Sequence, residues 1–194
     1  MLTNREIEDL FVESGALKEG HFKLTSGLHS SRYVDKFKIW SKPRLASPLL
    51  TEMAERWKSN NIELVGGPAV GGIILSYEIA RQLGCDGIFL ERKNGKMALS
   101  RGFSIEKSQI ILIVEDVVTT GGSVNEVCEV LKQLGGEIAG ISLMVDRSGG
   151  KVDFGIKTDS LIQLELELFE PESCPMCGDE IELETPGSSG KDAD

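Results

Sequence analysis

The fourteen residues from Ile110 to Ser123, IILIVEDVVTTGGS, limit what this chain can fold into more than any other stretch. Ile110 to Val114 is a run of apolar, mostly β-branched residues, the pattern of a strand buried on both faces. Two carboxylates follow, Glu115 and Asp116, then Val117, Val118 and the hydroxyl and glycine loop Thr119, Thr120, Gly121, Gly122, Ser123. Beyond it Val124, Val127, Val130, Leu131 and Leu134 recur at helical spacing. A strand covered on both faces and followed by a helix belongs to a parallel sheet with helices on either side.

Each part of the run has a chemical use. Glycines let successive N–H groups turn into one concavity that suits an anion. The helix start adds unpaired N–H groups and the positive end of its dipole. The hydroxyls of Thr119, Thr120 and Ser123 add donors, so a phosphate monoester fits. The two acids would repel that phosphate, but they suit the vicinal hydroxyls of a ribose. Phosphate donors beside ribose acceptors describe a ribose 5-phosphate site. An ordinary turn into a helix is the plainer alternative, but it has no use for paired acids at the end of a buried strand. A Walker loop is excluded because no Gly-Lys-Ser/Thr follows.

Along the chain, Thr3 and Glu6 form a capping box for a short first helix ending near Gly15. Residues 20–33 predict a hairpin or extended flap, and a second helix follows Pro43. Then strands and helices alternate: a strand over 62–65, a turn over 66–72, a helix over 73–83 and a strand over 87–91. After the Ile110 strand and its helix come a Gly135-Gly136 stop and a strand over 137–145. Residues 160–168 alternate apolar and acidic, as a half-exposed strand does. Segment 92–103 is polar, contains glycines and lacks apolar periodicity, which predicts a mobile loop. The loops after Val65, Val114 and Val145 lie at carboxyl ends of parallel strands, where such sheets bind ligands.

A chain of 194 residues with 40% hydrophobic and 27% charged residues is long enough for one domain with a sizeable core. The formal net charge of -10 argues against nucleic-acid binding, which rests on clustered Lys and Arg. No stretch is long and apolar enough to span a membrane, and Met1 to Leu10 lacks a signal-peptide core, which predicts a cytoplasmic protein. Arg92, Lys93, Lys96 and Arg101 place four cations in one loop of this acidic chain, where they suit a pyrophosphate or serve as a solvated surface. Arg147, beside Asp146, ends a strand and can either clamp a substrate carboxylate or pair with a loop acid. Cys85 and Cys128 read as small core residues. Cys174 and Cys177 have the spacing of half a zinc site, and a second chain, His21 or His29 would have to complete it; a reduced turn is the alternative.

The Ile110–Ser123 run resembles the 5-phosphoribosyl-1-pyrophosphate (PRPP) motif of the type I phosphoribosyltransferases. From about Phe22 to Leu168 the chain is similar to that family's orotate phosphoribosyltransferases. The resemblance implies the family's α/β fold, a central mostly parallel sheet with a small N-terminal flap or hood over about 20–40, in a domain over 1–170. An acidic tail with the CxxC would follow over 171–194, its end disordered. It implies transfer of a phosphoribosyl group from PRPP to orotate with Mg²⁺, in a homodimer whose loop 92–103 reaches the partner's active site. Residue by residue it gives PRPP to Arg92, Lys93, Lys96 and Glu115 through Ser123, and orotate to Thr119 and Arg147. Lys93, Lys96 and Asp116 take the catalytic roles, and the Mg²⁺ is held mainly by substrate and water.

The sequence departs from the family pattern where Thr25 replaces a flap Lys, Gly71 replaces a pyrophosphate-contacting Lys, and Ala98 replaces a loop His. The PRPP motif alone also suits a purine phosphoribosyltransferase, and the missing cations suit a PRPP-sensing regulator. The flap and the Asp146-Arg147 pair favour a carboxylated pyrimidine, and the acidic charge disfavours a nucleic-acid regulator.

Overall fold

The computed structural model describes residues 1–24, 26–164 and 167–186. Helix α1 (Asn4–Ser14) starts on the expected capping box: Thr3 and Glu6 bond each other's backbone N–H groups. It ends at Gly15 in the left-handed conformation. A hairpin follows, β1 (Leu17–Lys23) and β2 (His29–Val34), as the flap pattern predicts. The departure at Thr25 lies outside the described residues. A short helix α2 (Lys36–Trp40) that the pattern does not predict is capped by Asp35. Helix α3 (Pro43–Trp57) follows.

The chain then winds the main sheet. Strand β3 (Leu64–Pro68) leads into α4 (Gly71–Leu83), and β4 (Asp86–Lys93) turns back into β5 (Lys96–Leu99). Strand β6 (Ile110–Val118) feeds α5 (Gly122–Gln133), followed by β7 (Glu137–Asp146) and β8 (Thr158–Gln163). The order is β5-β4-β3-β6-β7-β8, parallel except for β5. Alternation along β6 sends Leu112 and Val114 into a core with α1, α3 and α4, and Ile111 and Ile113 into a second core with α5. Both faces are thus covered, as the unbroken apolar run demands. From β3 the chain steps outward to β4, and from β6 it steps the other way to β7, so the strand order reverses between β3 and β6. Ligands of open parallel sheets enter at such a point, beyond the carboxyl ends of the strands.

Several expectations need correction. The acids do not follow the strand; β6 runs on through Glu115 and Asp116 to Val118. Segment 92–103 is not a plain loop, because its first half is the β4–β5 hairpin. Lys93 pairs with Lys96 across a two-residue turn, with Asn94 at φ 54 and Gly95 at φ 81. Positive φ at both positions is what a tight hairpin turn demands, and Asn-Gly is the dipeptide that tolerates it. The strand expected over 160–168 is two pieces, β8 and β9 (Leu168–Phe169), in different sheets.

Nor does the domain stop at 170. After a 3-10 turn over Pro171–Ser173 come α6 (Pro175–Gly178) and β10 (Leu183–Glu184). Strands β9 and β10 flank the flap hairpin in a second sheet, ordered β10-β1-β2-β9. The expected disorder at the chain's end falls on 187–194, outside the described residues. Among the described residues no helix is long and apolar enough to cross a membrane.

Candidate active site

The loop between β6 and α5 closes around a cavity of about 200 Å³ lined by Glu115 and by residues 117–124. Its shape follows from Gly121, which lies at φ 77, where a side chain is strained. A Cβ there would also come within 2.7 Å of Val152 and 2.8 Å of Phe154. Helix α5 starts at that residue with no side-chain cap, which leaves its first N–H groups to the cavity. Thr119 and Thr120 are exposed beside it and Ser123 is half-buried. Val118 is buried in the core and Val117 is half-buried, so their side chains pack and only their backbone has polar groups to offer. The arrangement is an anion cradle of amides and hydroxyls.

The acids diverge because they are neighbours on a strand. Glu115 lies on the α5 side and lines the cavity. Asp116 lies on the α4 side, where its Oδ1 accepts a 3.1 Å bond from Lys36 Nζ. Asp116 Oδ2 is buried with no hydrogen-bond partner. The turn after β3 presses on it so closely that a Cβ at Gly71 would collide with that oxygen. This explains why no Lys stands at 71: the Asp116 carboxylate occupies the space its stem would need. Glu115 accepts a 2.9 Å bond from the Asp116 N–H. Burial, and then the charge of Asp116, push its carboxyl up to about 8. One acid therefore stays protonated beside its ion-paired neighbour at neutral pH.

Arg147 stands just beyond β7, tied to β6 by its N–H, which donates to the Val118 carbonyl at 2.8 Å. Its Nε is buried and unpartnered, and among the described residues it makes no ion pair. No loop acid among the described residues therefore takes up the ion-pair alternative. The nearby Asp146 carboxylate is taken up by Ser148 N–H, Ser148 Oγ and Gly150 N–H at 2.8, 2.6 and 2.9 Å. Burial lowers the Arg147 pKa, so the guanidinium is costly to hold without an anion. Tyr33 of the flap lies near enough to sense its charge; burial and then Asp35 raise the phenol, while Arg147 opposes them.

The cations of 92–103 do not join this cradle within one chain. Arg92 donates to Glu126 on α5 at 2.8 Å and to the Gly95 carbonyl at 2.9 Å. Arg101 folds back in a two-pronged pair with Glu91, at 2.8 and 2.9 Å. Lys93 and Lys96 make no ion pair among the described residues, and neither lines the cavity. Sequence reasoning missed Lys36 and Tyr33, since nothing in the local pattern links position 36 to 116 or 33 to 147. Cys174 and Cys177 are not part of the cradle's lining and lie together beside His21 and His29.

Comparison with known proteins agrees with this geometry. The family profile for the phosphoribosyl transferase domain matches residues 47–165. The orotate phosphoribosyltransferase of Desulforamulus reducens is 46% identical over 187 residues, 96% of this chain and 98% of that protein. That of Caldicellulosiruptor bescii is 48% identical over 182 residues, 94% and 96% of the two chains. The crystal structure of orotate phosphoribosyltransferase from Aeropyrum pernix superposes with a TM-score of 0.70 at 25% identity, covering 82% of this chain and 94% of that one.

Proposed function

The chain belongs to the phosphoribosyltransferase family, among its orotate phosphoribosyltransferases, and on that premise we propose how its residues divide the reaction. It transfers the 5-phosphoribosyl group of PRPP to orotate, giving orotidine 5′-monophosphate and pyrophosphate. The observation that carries the assignment of the base is Arg147, half-buried at the strand end, whose Nε is buried without a hydrogen-bond partner and which meets no anion among the described residues. A carboxylated pyrimidine supplies that anion; adenine, hypoxanthine and uracil do not.

The amides and hydroxyls from Thr119 to Ser123 hold the 5′-phosphate. Glu115 and Asp116 flank the ribose from opposite sides of the strand end. Glu115, carrying its proton, can both donate to and accept from a hydroxyl, whereas Asp116 accepts through its free Oδ2. Arg147 and Thr119 orient orotate so that its ring nitrogen faces the anomeric carbon. The bond from that carbon to pyrophosphate breaks as the bond to nitrogen forms, through a ribosyl cation-like state. Holding the reactants in line and stabilising the departing charge supply the catalysis. Mg²⁺ suits the hard oxygen donors here, with Asp116 as the side chain nearest to hand, and when bound it neutralises pyrophosphate charge.

The remaining cations belong to a second subunit in this reading. Among the described residues Lys93 and Lys96 make no ion pair, and they stay off their own chain's cavity, as they must if they serve a partner's site. An apolar groove between α3 and α4, lined by Trp40, Pro43, Leu50, Ile73, Ile74 and Tyr77, gives such a partner a surface to cover. Tyr77 is 71% exposed and Val70 66%. A homodimer in the cytoplasm is the resulting picture. The test is to supply PRPP and Mg²⁺ with orotate, adenine, hypoxanthine or uracil in turn. Consumption of orotate alone is expected, and turnover of a purine in its place would refute the assignment to Arg147.

A further inference from the structure

Outside the cradle's lining, four metal-ligating side chains converge from three separate segments. His21 lies on β1, His29 on β2, and Cys174 and Cys177 bracket the start and middle of α6. One donor atom from each lies within 4.8 Å of all the others. Cys174 Sγ is 3.5 Å from His21 Nε2, and Cys177 Sγ is 3.7 Å from the same atom and 3.4 Å from His29 Nδ1. A tetrahedral zinc with its usual bond lengths sets sulfur and nitrogen about 3.6 Å apart. The two ring nitrogens, 2.8 Å apart, need to part by only about half an ångström to reach the tetrahedral spacing.

The surroundings prepare the ligands. His21 Nδ1 lies 2.8 Å from the Ile181 carbonyl, which can only accept. That fixes the proton on Nδ1 and leaves Nε2 with a bare lone pair aimed at the cluster, as carbonyl partners do for metal-binding histidines. His21, His29 and Cys174 are buried, and Cys177 is exposed. Met176 is buried between the two cysteines and anchors their turn.

The segment that carries the cysteines has little else to hold it. Strand β10 pairs with β1 through two residues, and β9 pairs with β2 through two. Ile181, Leu183 and Leu168 remain 48%, 41% and 52% exposed. A short segment with so small a core needs a staple. We propose that His21, His29, Cys174 and Cys177 form a closed structural zinc site that fastens the C-terminal segment to the flap hairpin. All four positions are protein ligands, so the ion is structural rather than catalytic. The site completes within one chain, whatever the oligomeric state, and the proposal does not rest on the reaction assigned above.

The test uses the full chain, untagged, expressed with added zinc and dialysed before metal analysis. One zinc per chain is expected. Cobalt in its place should give thiolate charge-transfer bands and the intense visible bands of a tetrahedral site. The double variant C174S/C177S should lose the ion, and His29→Cys, which keeps four ligands, should retain it. Chelation of the wild type should lower its melting temperature and open Glu172 and Glu180 to a glutamate-specific protease, with zinc reversing both. A metal-free wild type that takes up neither zinc nor cobalt would overturn the proposal. So would equal zinc in the wild type and the double serine variant, since the ion would then sit elsewhere. If the double variant does not fold, the His29→Cys protein and the cobalt spectrum of the wild type decide the matter.

Discussion

Replacing Glu115 by Gln should change how stability depends on pH. In the native chain burial, and then Asp116, push the carboxyl from 4.5 up to about 8. The unfolded chain keeps the ordinary value, so between these two limits the native state holds a proton that the unfolded state has released. The contribution is complete below about pH 4.5, declines as pH rises, and is gone above about 8. At about 1.4 kcal/mol per pH unit the full span amounts to about 5 kcal/mol. Between pH 5.5 and 8 the wild type should lose about 3 kcal/mol more than Glu115→Gln, whose amide cannot titrate. Carboxylates held below their usual range, such as Glu6, Glu52, Glu78 and Glu91, act only in more acid solution and do not enter this window. Urea unfolding followed by the fluorescence of Trp40 and Trp57 gives the free energy at each pH, and the zinc ligands, common to both proteins, cancel in the difference. Parallel curves for the two proteins would refute the buried, protonated Glu115.

Arg147→Ala should lower kcat/KM for orotate about a hundredfold or more, at about 3 kcal/mol for lost charge-assisted hydrogen bonds, with PRPP binding little changed. Steady-state kinetics with each substrate varied in turn separates the two effects. Gly121→Ala strains the backbone and drives its methyl into Val152 and Phe154, so titration calorimetry should show ribose 5-phosphate affinity falling at least tenfold while α5 remains folded. Lys93→Ala and Asp116→Asn should each be nearly inactive with the fold intact by circular dichroism. Mixed and re-equilibrated, the two should recover up to about a quarter of wild-type activity, because half the random dimers carry one complete site of two. No recovery would mean that each chain builds its site alone.

Much of the molecule is determined locally and can be read from the chain. The apolar run before Glu115 requires a strand covered on both faces, and the glycine loop after it requires a turn that presents amides to an anion. The capping box at Thr3 and the Asn94-Gly95 hairpin turn are equally local, although the second was masked by the polarity of its surroundings. What tertiary structure alone decided is which distant groups meet. Alternation along β6 put Glu115 and Asp116 on opposite sides, the pairing of β3 with β6 brought Gly71 to Asp116, and α2 brought Lys36 to the same carboxylate. The turn after β7 took up the Asp146 carboxylate, which left Arg147 without an ion pair among the described residues. The pairing of β10 with β1 and β9 with β2 gathered Cys174 and Cys177 against His21 and His29 across some 150 residues of chain. Local sequence governs backbone conformation because φ, ψ and side-chain period are properties of neighbouring residues. The electrostatics of a site depend on distance and burial, and these exist only once the sheet has closed.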